Sequence, residues 1–126
     1  MTIHFVAAEP GFVPQTYQLL IEVTEPVRVL VGRLGTFDFP AGHYVYTGSA
    51  LRNFEARVNR HQSTAKRMHW HIDYLLATPG VCIREVQRYD EAECLVNQRT
   101  GGKIQVNGFG ASDCRAGCAS HLKRVG

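Results

Sequence analysis

The chain has 126 residues, 44% hydrophobic and 20% charged, with a net charge of +3. That suits one domain, residues 1–126, with a real core, and the mild basic balance permits a polyanionic partner without requiring one. No stretch has the basic start and long apolar run of a signal peptide, and none approaches the ~20 apolar residues of a membrane span. These features predict a cytoplasmic protein away from membranes, with Cys82, Cys94, Cys114 and Cys118 as reduced thiols.

In chain order, residues 1–14 are punctuated by Gly and Pro and predict an irregular lead-in. Thr16–Val23, rich in Leu, Ile and Val, predicts a strand, and Pro26 breaks it. Val27–Val31 carries Val at alternate positions, Gly32-Arg33-Leu34-Gly35 is turn chemistry, and Thr36-Phe37-Asp38-Phe39 alternates again up to Pro40. This front half predicts an antiparallel meander. The next strand lies in Gly42-His43-Tyr44-Val45-Tyr46-Thr47-Gly48-Ser49-Ala50, where Tyr44 and Tyr46 would face one side and His43, Val45 and Thr47 the other. Gly48 ends that strand where a side chain would be awkward.

A helix follows, with Phe54 and Val58 on its buried face and Asn53 as its cap. Arg57 and His61, four apart, share a face, with Arg60 beside them. Tyrosines on a strand, a Gly turn, then Arg and His on a helix would gather donors around an anion; ordinary aromatic packing beside a solvated basic helix fits the same residues. A polar loop carrying Lys66 and Arg67 leads to a short helix over residues 69–76, ended by Thr78-Pro79-Gly80. Residues 81–86 alternate as a strand. Asp90 caps a helix through Arg99, with Glu93 inside it and Leu95 and Val96 toward the core. A short apolar run over residues 103–106 precedes a Gly-rich tail. Strands first and helices later indicate an α+β class.

Two sets resemble metal ligands. His69-x-His71 could share an ion only if extended, because helical residues two apart point about 200° away from one another. Cys114-x-x-x-Cys118-x-x-His121 resembles part of a zinc site, without an obvious fourth ligand nearby in sequence. No phosphate-binding Gly loop and no Ser/His/Asp triad stands out.

Tyr46-Thr47-Gly48, followed by a helix with Arg57-x-x-x-His61, resembles the second half of the GIY-YIG nuclease signature. Together with the blocks at residues 69–76 and 108–114, it is similar to a compact subgroup of that superfamily also found fused to endonuclease III-type glycosylases. The likeness runs from about residue 16 to residue 121. It implies a small antiparallel or mixed β-sheet flanked by helices, and divalent-metal hydrolysis of a DNA phosphodiester with Mg2+ or Mn2+, in a repair-associated setting. Carried over, the first tripeptide falls on Gln15-Thr16-Tyr17, so Tyr17, Tyr46, Arg57 and His61 would be catalytic and Glu93 would hold the metal. Gly48, Ser49, Arg60, Lys66, Arg67, His69, Trp70 and His71 would meet the nucleic acid. A Tyr would help activate water once a nearby cation lowers its pKa, and Arg57 would steady the phosphate charge. The chain departs from the pattern at Gln15-Thr16, in a longer segment between the tyrosine motifs, in Ser49 where many relatives carry Lys, and in the spacing of Cys114 and Cys118.

A second function class uses the same fold as a non-catalytic binder. Arg52, Arg57, Arg60, Lys66 and Arg67 would contact phosphates, and Trp70 would stack on a base.

Overall fold

The computed structural model of the protein describes residues 13–50, 52–63, 67–111, 114 and 117–126. It is α+β. Strands β1 (Thr16–Val23), β4 (Gly42–Ser49), β5 (Val81–Tyr89), β6 (Lys103–Ile104) and β7 (Leu122–Arg124) form one sheet in the order β5-β1-β4-β7-β6. Every pairing in it is antiparallel. Strands β2 (Val27–Val31) and β3 (Gly35–Phe39) pair only with one another, as a separate hairpin. Among the described residues three α-helices complete the fold: α1 (Phe54–Gln62), α2 (His71–Leu76) and α3 (Glu93–Arg99). No helix is long and apolar enough to cross a membrane among the described residues.

The predicted meander is corrected: β1 pairs with β4 and β5, not with β2. Burial explains the difference. Residues Thr16, Tyr17, Gln18 and Leu19 of β1 are all buried, so this strand needs cover on both faces and a neighbour on both edges. Strand β2 alternates, with Arg28 and Leu30 exposed and Val29 and Val31 buried, which suits a hairpin covered on one face. Arg28 lies opposite Asp38 on its solvent side and pairs with it at 2.9 Å.

The core sits on one face of the large sheet. Tyr17, Leu19, Ile21 and Val23 of β1 alternate onto it, beside Tyr44 and Tyr46 of β4. Val58 of α1, Ile72 and Leu75 of α2, Val29, Val31 and Phe39 of the hairpin, and Phe109 close over them. The other face is more polar. There Gln18 and Thr47 bond side chain to side chain at 3.1 Å, and Gln18 also donates to Thr100 at the end of α3. Lys123 Nζ caps that helix end by donating to the carbonyls of Asn97 and Thr100.

Helix starts differ from the sequence prediction for local reasons. Helix α3 begins at Glu93 behind Ala92, not at an Asp90 cap. Gln15 donates to the Asp90 carbonyl and Thr16 to the Glu91 carbonyl, both at 2.6 Å, which ties those two residues to β1. Only Val96 and Asn97 of α3 are buried, and Leu95, expected toward the core, is 52% exposed. Asn53 does precede α1, but in the left-handed region and without a side-chain capping bond. Helix α2 starts at His71, because the N–H groups of His69 and Trp70 both donate to Asp73 Oδ2, at 2.8 and 2.9 Å.

Asp73 is fully buried and also receives both terminal nitrogens of Arg60 at 3.0 Å, one on each carboxylate oxygen. Burial alone would raise its pKa; the Arg60 hydrogen bonds and those from the Trp70 and His69 backbone outweigh it and hold the carboxyl below its usual value. Its contribution to stability is therefore present above the unfolded-state value of about 3.9 and is lost as pH falls through the lower folded value. Asp73→Asn puts an amide where donors converge and leaves Arg60 without its counter-charge, so a loss of about 3 kcal/mol is expected. Urea unfolding at neutral pH measures it, and the gap between the parent and Asp73→Asn should narrow as the pH is taken below 3.9.

Candidate functional site

The register of β1 against β4 places Tyr17 opposite Gly48. A Cβ at Gly48 would lie 2.5 Å from the Tyr17 hydroxyl and 2.6 Å from the ring carbon Cζ, so the phenol occupies the space a side chain would need. The strand itself runs on through Gly48 to Ser49. Tyr17 Oη meets His61 Nε2 at 2.6 Å, and the two rings lie 5.2 Å apart, centroid to centroid. Phe54 packs edge-on to Tyr17 at 5.8 Å, and Tyr46 packs edge-on to His61 at 6.3 Å. All three of Tyr17, Tyr46 and His61 are buried.

Sequence reasoning expects a nearby cation to lower a phenol, and here the direction is opposite. Burial lifts Tyr17 well above the usual tyrosine range; the charge of Arg57 works against this, while those of Glu93 and Asp73 add to it. Burial likewise lifts Tyr46, helped by Tyr17 and Glu93. Burial thus keeps both phenols protonated, so neither is a standing base.

Arg57 is half-buried at the rim of this group. Its Nη1 donates to the Ser49 carbonyl at 2.7 Å, and its guanidinium lies 4.7 Å from the centre of the Trp70 ring. Arg60 lies 4.4 Å from the same ring and His69 meets it edge-on at 4.7 Å. With the His61 ring also 5.8 Å away, Trp70 is thus engaged by at least four side chains. His71 points elsewhere: its Nδ1 accepts the Gly110 N–H at 2.9 Å, and its ring packs on Phe109 at 5.7 Å. His69 and His71 therefore do not act as a ligand pair. Arg67 is exposed, with its carbonyl accepting from Arg60 at 2.7 Å, and Lys66 lies outside the described residues.

Strand alternation puts Ser49 on the face opposite Tyr46, the face that α3 covers. Glu93, the first residue of α3, reaches the end of β4 there. Ser49 Oγ donates to Glu93 Oε1 at 2.6 Å, and His121 Nδ1 lies 2.7 Å from Oε2. Ser49 consequently joins Arg57, through its carbonyl, to Glu93, through its hydroxyl. Burial would raise the Glu93 pKa, but bonds from His121 and Ser49 and the charges of His121 and Arg57 hold it below the usual carboxylate value. Glu93 is thus an ionised carboxylate, 25% exposed in its side chain, with one donor on each oxygen and lone pairs remaining. Such a group fits a hard divalent cation that keeps its own waters.

Beside His121 stand three thiols. The ligand atoms of Cys94, Cys114, Cys118 and His121 all lie within 4.8 Å of one another. Cys94 is the member that sequence spacing missed, since it sits in α3, 20 residues before Cys114, and no local pattern connects them. Burial of His121 would lower its pKa, yet the bond to Glu93 and the neighbouring Cys114 raise it to about 9.

These features describe an α+β domain whose central sheet carries a buried phenol–imidazole pair, a rim arginine and an ionised carboxylate. The chain belongs to the family described as Domain of unknown function DUF123, whose model it matches over residues 16–126. No curated protein and no solved structure matches it.

Gly48→Ala should displace the Tyr17 ring and part Tyr17 from His61, at a cost of about 1–3 kcal/mol. Thermal unfolding would register the loss. Recovery of stability in Gly48→Ala combined with Tyr17→Ala, relative to Tyr17→Ala alone, would identify the clash as its source.

Proposed function

We propose that the protein is a cytoplasmic, divalent-metal-dependent DNA endonuclease, hydrolysing a phosphodiester bond in a repair-associated role. The observation that carries this reading is the Tyr17–His61 hydrogen bond next to Arg57, whose guanidinium lies against a carbonyl and an indole ring. Five of the ten described arginines are held in ion pairs: Arg28 by Asp38, Arg60 by Asp73, Arg84 by Glu22, Arg88 by Glu55 and Arg99 by Glu91. Arg57 keeps a fork of donors for phosphate oxygens.

Glu93 would hold Mg2+ or Mn2+, which when bound supplies charge stabilisation at the phosphate. Arg57 binds and orients the phosphate. The proton of the attacking water goes to Tyr17 Oη as the Tyr17 hydroxyl proton moves to His61 Nε2. The water oxygen forms the new bond to phosphorus, and the sugar oxygen opposite leaves. This relay needs no free phenolate, the form that burial disfavours.

The non-catalytic binder is less well supported. It needs Trp70 as an open stacking platform, and Arg57, Arg60 and His69 already lie against that ring. It also counts on Arg60, which Asp73 holds.

Nicking of single-stranded, duplex and branched DNA with and without Mg2+ tests the reading. Arg57→Ala is expected to slow cleavage about 10²–10³-fold while the fold survives. Tyr17→Phe and His61→Ala should each cost about 10²–10⁴-fold, and the double variant little more than either, because the two act as one relay. Absence of any metal-dependent cleavage by the parent, or full activity in Tyr17→Phe, would overturn it.

A further inference from the structure

We infer that Cys94, Cys114, Cys118 and His121 form a structural zinc site that fastens the C-terminal segment to α3, with Glu93 orienting its histidine.

The first support is geometric. Four ligand atoms within 4.8 Å of one another, drawn from two stretches of chain, match a closed four-ligand site. Cys94 Sγ and Cys114 Sγ are 3.4 Å apart. That is well beyond a disulfide bond of about 2.05 Å. It is close to the edge of about 3.8 Å that tetrahedral angles and Zn–S bonds of 2.3 Å give.

The second support is an orphaned atom. His121 is 1% exposed, and its Nε2 is buried with no hydrogen-bond partner. An unmet ring nitrogen in the interior costs free energy unless something fills the position. The opposite nitrogen, Nδ1, lies 2.7 Å from Glu93 Oε2 and 3.2 Å from the Thr47 carbonyl. With Nδ1–H donated to Glu93, Nε2 is the ring nitrogen left without a partner, and it would give up its proton as the ion binds. A carboxylate behind a ligating histidine is the usual support of a zinc-bound imidazole. Gln98 Nε2 approaches Cys118 Sγ at 3.6 Å and supplies an N–H to a sulfur that would carry negative charge.

Chemistry selects the ion. Three thiolates and one imidazole are a soft, closed set that suits zinc and leaves no open position for a substrate. Binding would deprotonate the three thiols and release their protons to solvent. The site does not depend on the nuclease reading. It holds Cys114, Cys118 and His121 against α3 whether or not the chain cuts DNA.

The test uses the full chain. Metal analysis of protein purified under reducing conditions should give one zinc per chain, and Cys118→Ser should lower that content while Cys82→Ser, outside the cluster, should leave it at one. Protein stripped of metal under reducing conditions and titrated with Co2+ should develop thiolate charge-transfer and tetrahedral ligand-field bands that saturate at one equivalent. His121→Cys keeps four ligands and should bind Co2+ with those bands shifted toward an all-sulfur set. Glu93→Gln should retain the metal but bind it about 10–100-fold more weakly. Reduced protein that gives no such bands, a zinc content unchanged in Cys118→Ser, or a Cys94–Cys114 disulfide in place of metal would overturn the inference.

Discussion

The antiparallel pairing of β1 with β4 is the constraint from which the rest follows. It sets Tyr17 against Gly48 and Leu19 against Tyr46, and so fixes which side chains share a face. Because the period of a strand is two, a slip of one residue would turn Tyr17 to the polar face and bring Gln18 into the core. The missing Cβ at Gly48 makes the register self-specifying, since only there does the phenol have room to lie across the neighbouring strand. With Tyr17 so placed, His61 of α1 finds its partner and the helix is seated over the sheet.

A chain of polar contacts then runs from one side of the molecule to the other. It passes from Asp73 to Arg60, across Trp70 to Arg57, through Ser49 to Glu93, and on to His121 beside the thiols. Its members differ greatly in weight. Asp73 is wholly buried with at least four donors, so removing it uncovers an unpaired charge at depth. The Arg28–Asp38 pair is exposed on both sides and contributes little beyond the strand pairing it accompanies. Ser49 has a special place, because one residue at the end of β4 serves both faces: its carbonyl turns to Arg57 and its hydroxyl to Glu93.

Glu93 also links the two proposed sites, which are chemically separate. Its carboxylate lies against His121 on one side and accepts from Ser49 on the other, within the field of Arg57. A substitution there acts on both neighbourhoods. Metal content and the proposed DNA cleavage are therefore separate readouts of the same side chain.

The sequence by itself determined the class and most of the elements. Alternation and β-rich composition marked β1 to β4, the four-residue spacing of Phe54 and Val58 marked α1, and the split between strands and helices marked α+β. These are local signals: they arise from dihedral preference and from the period at which apolar side chains must face a core. What the tertiary structure alone decided involves partners distant in sequence. Nothing local told β1 to pair with β4 and β5 rather than β2, because each pairing closes a loop and only burial on both faces chooses between them. Strand β7, Leu-Lys-Arg, has no apolar alternation, and its place comes from the open edge of β4. Cys94 joined Cys114, Cys118 and His121 for the same reason, since α3 is carried to the tail by packing on the polar face of the sheet. Glu93 lay in a predicted helix, but its two partners, Ser49 and His121, sit 44 residues before it and 28 after, a distance only the fold could close.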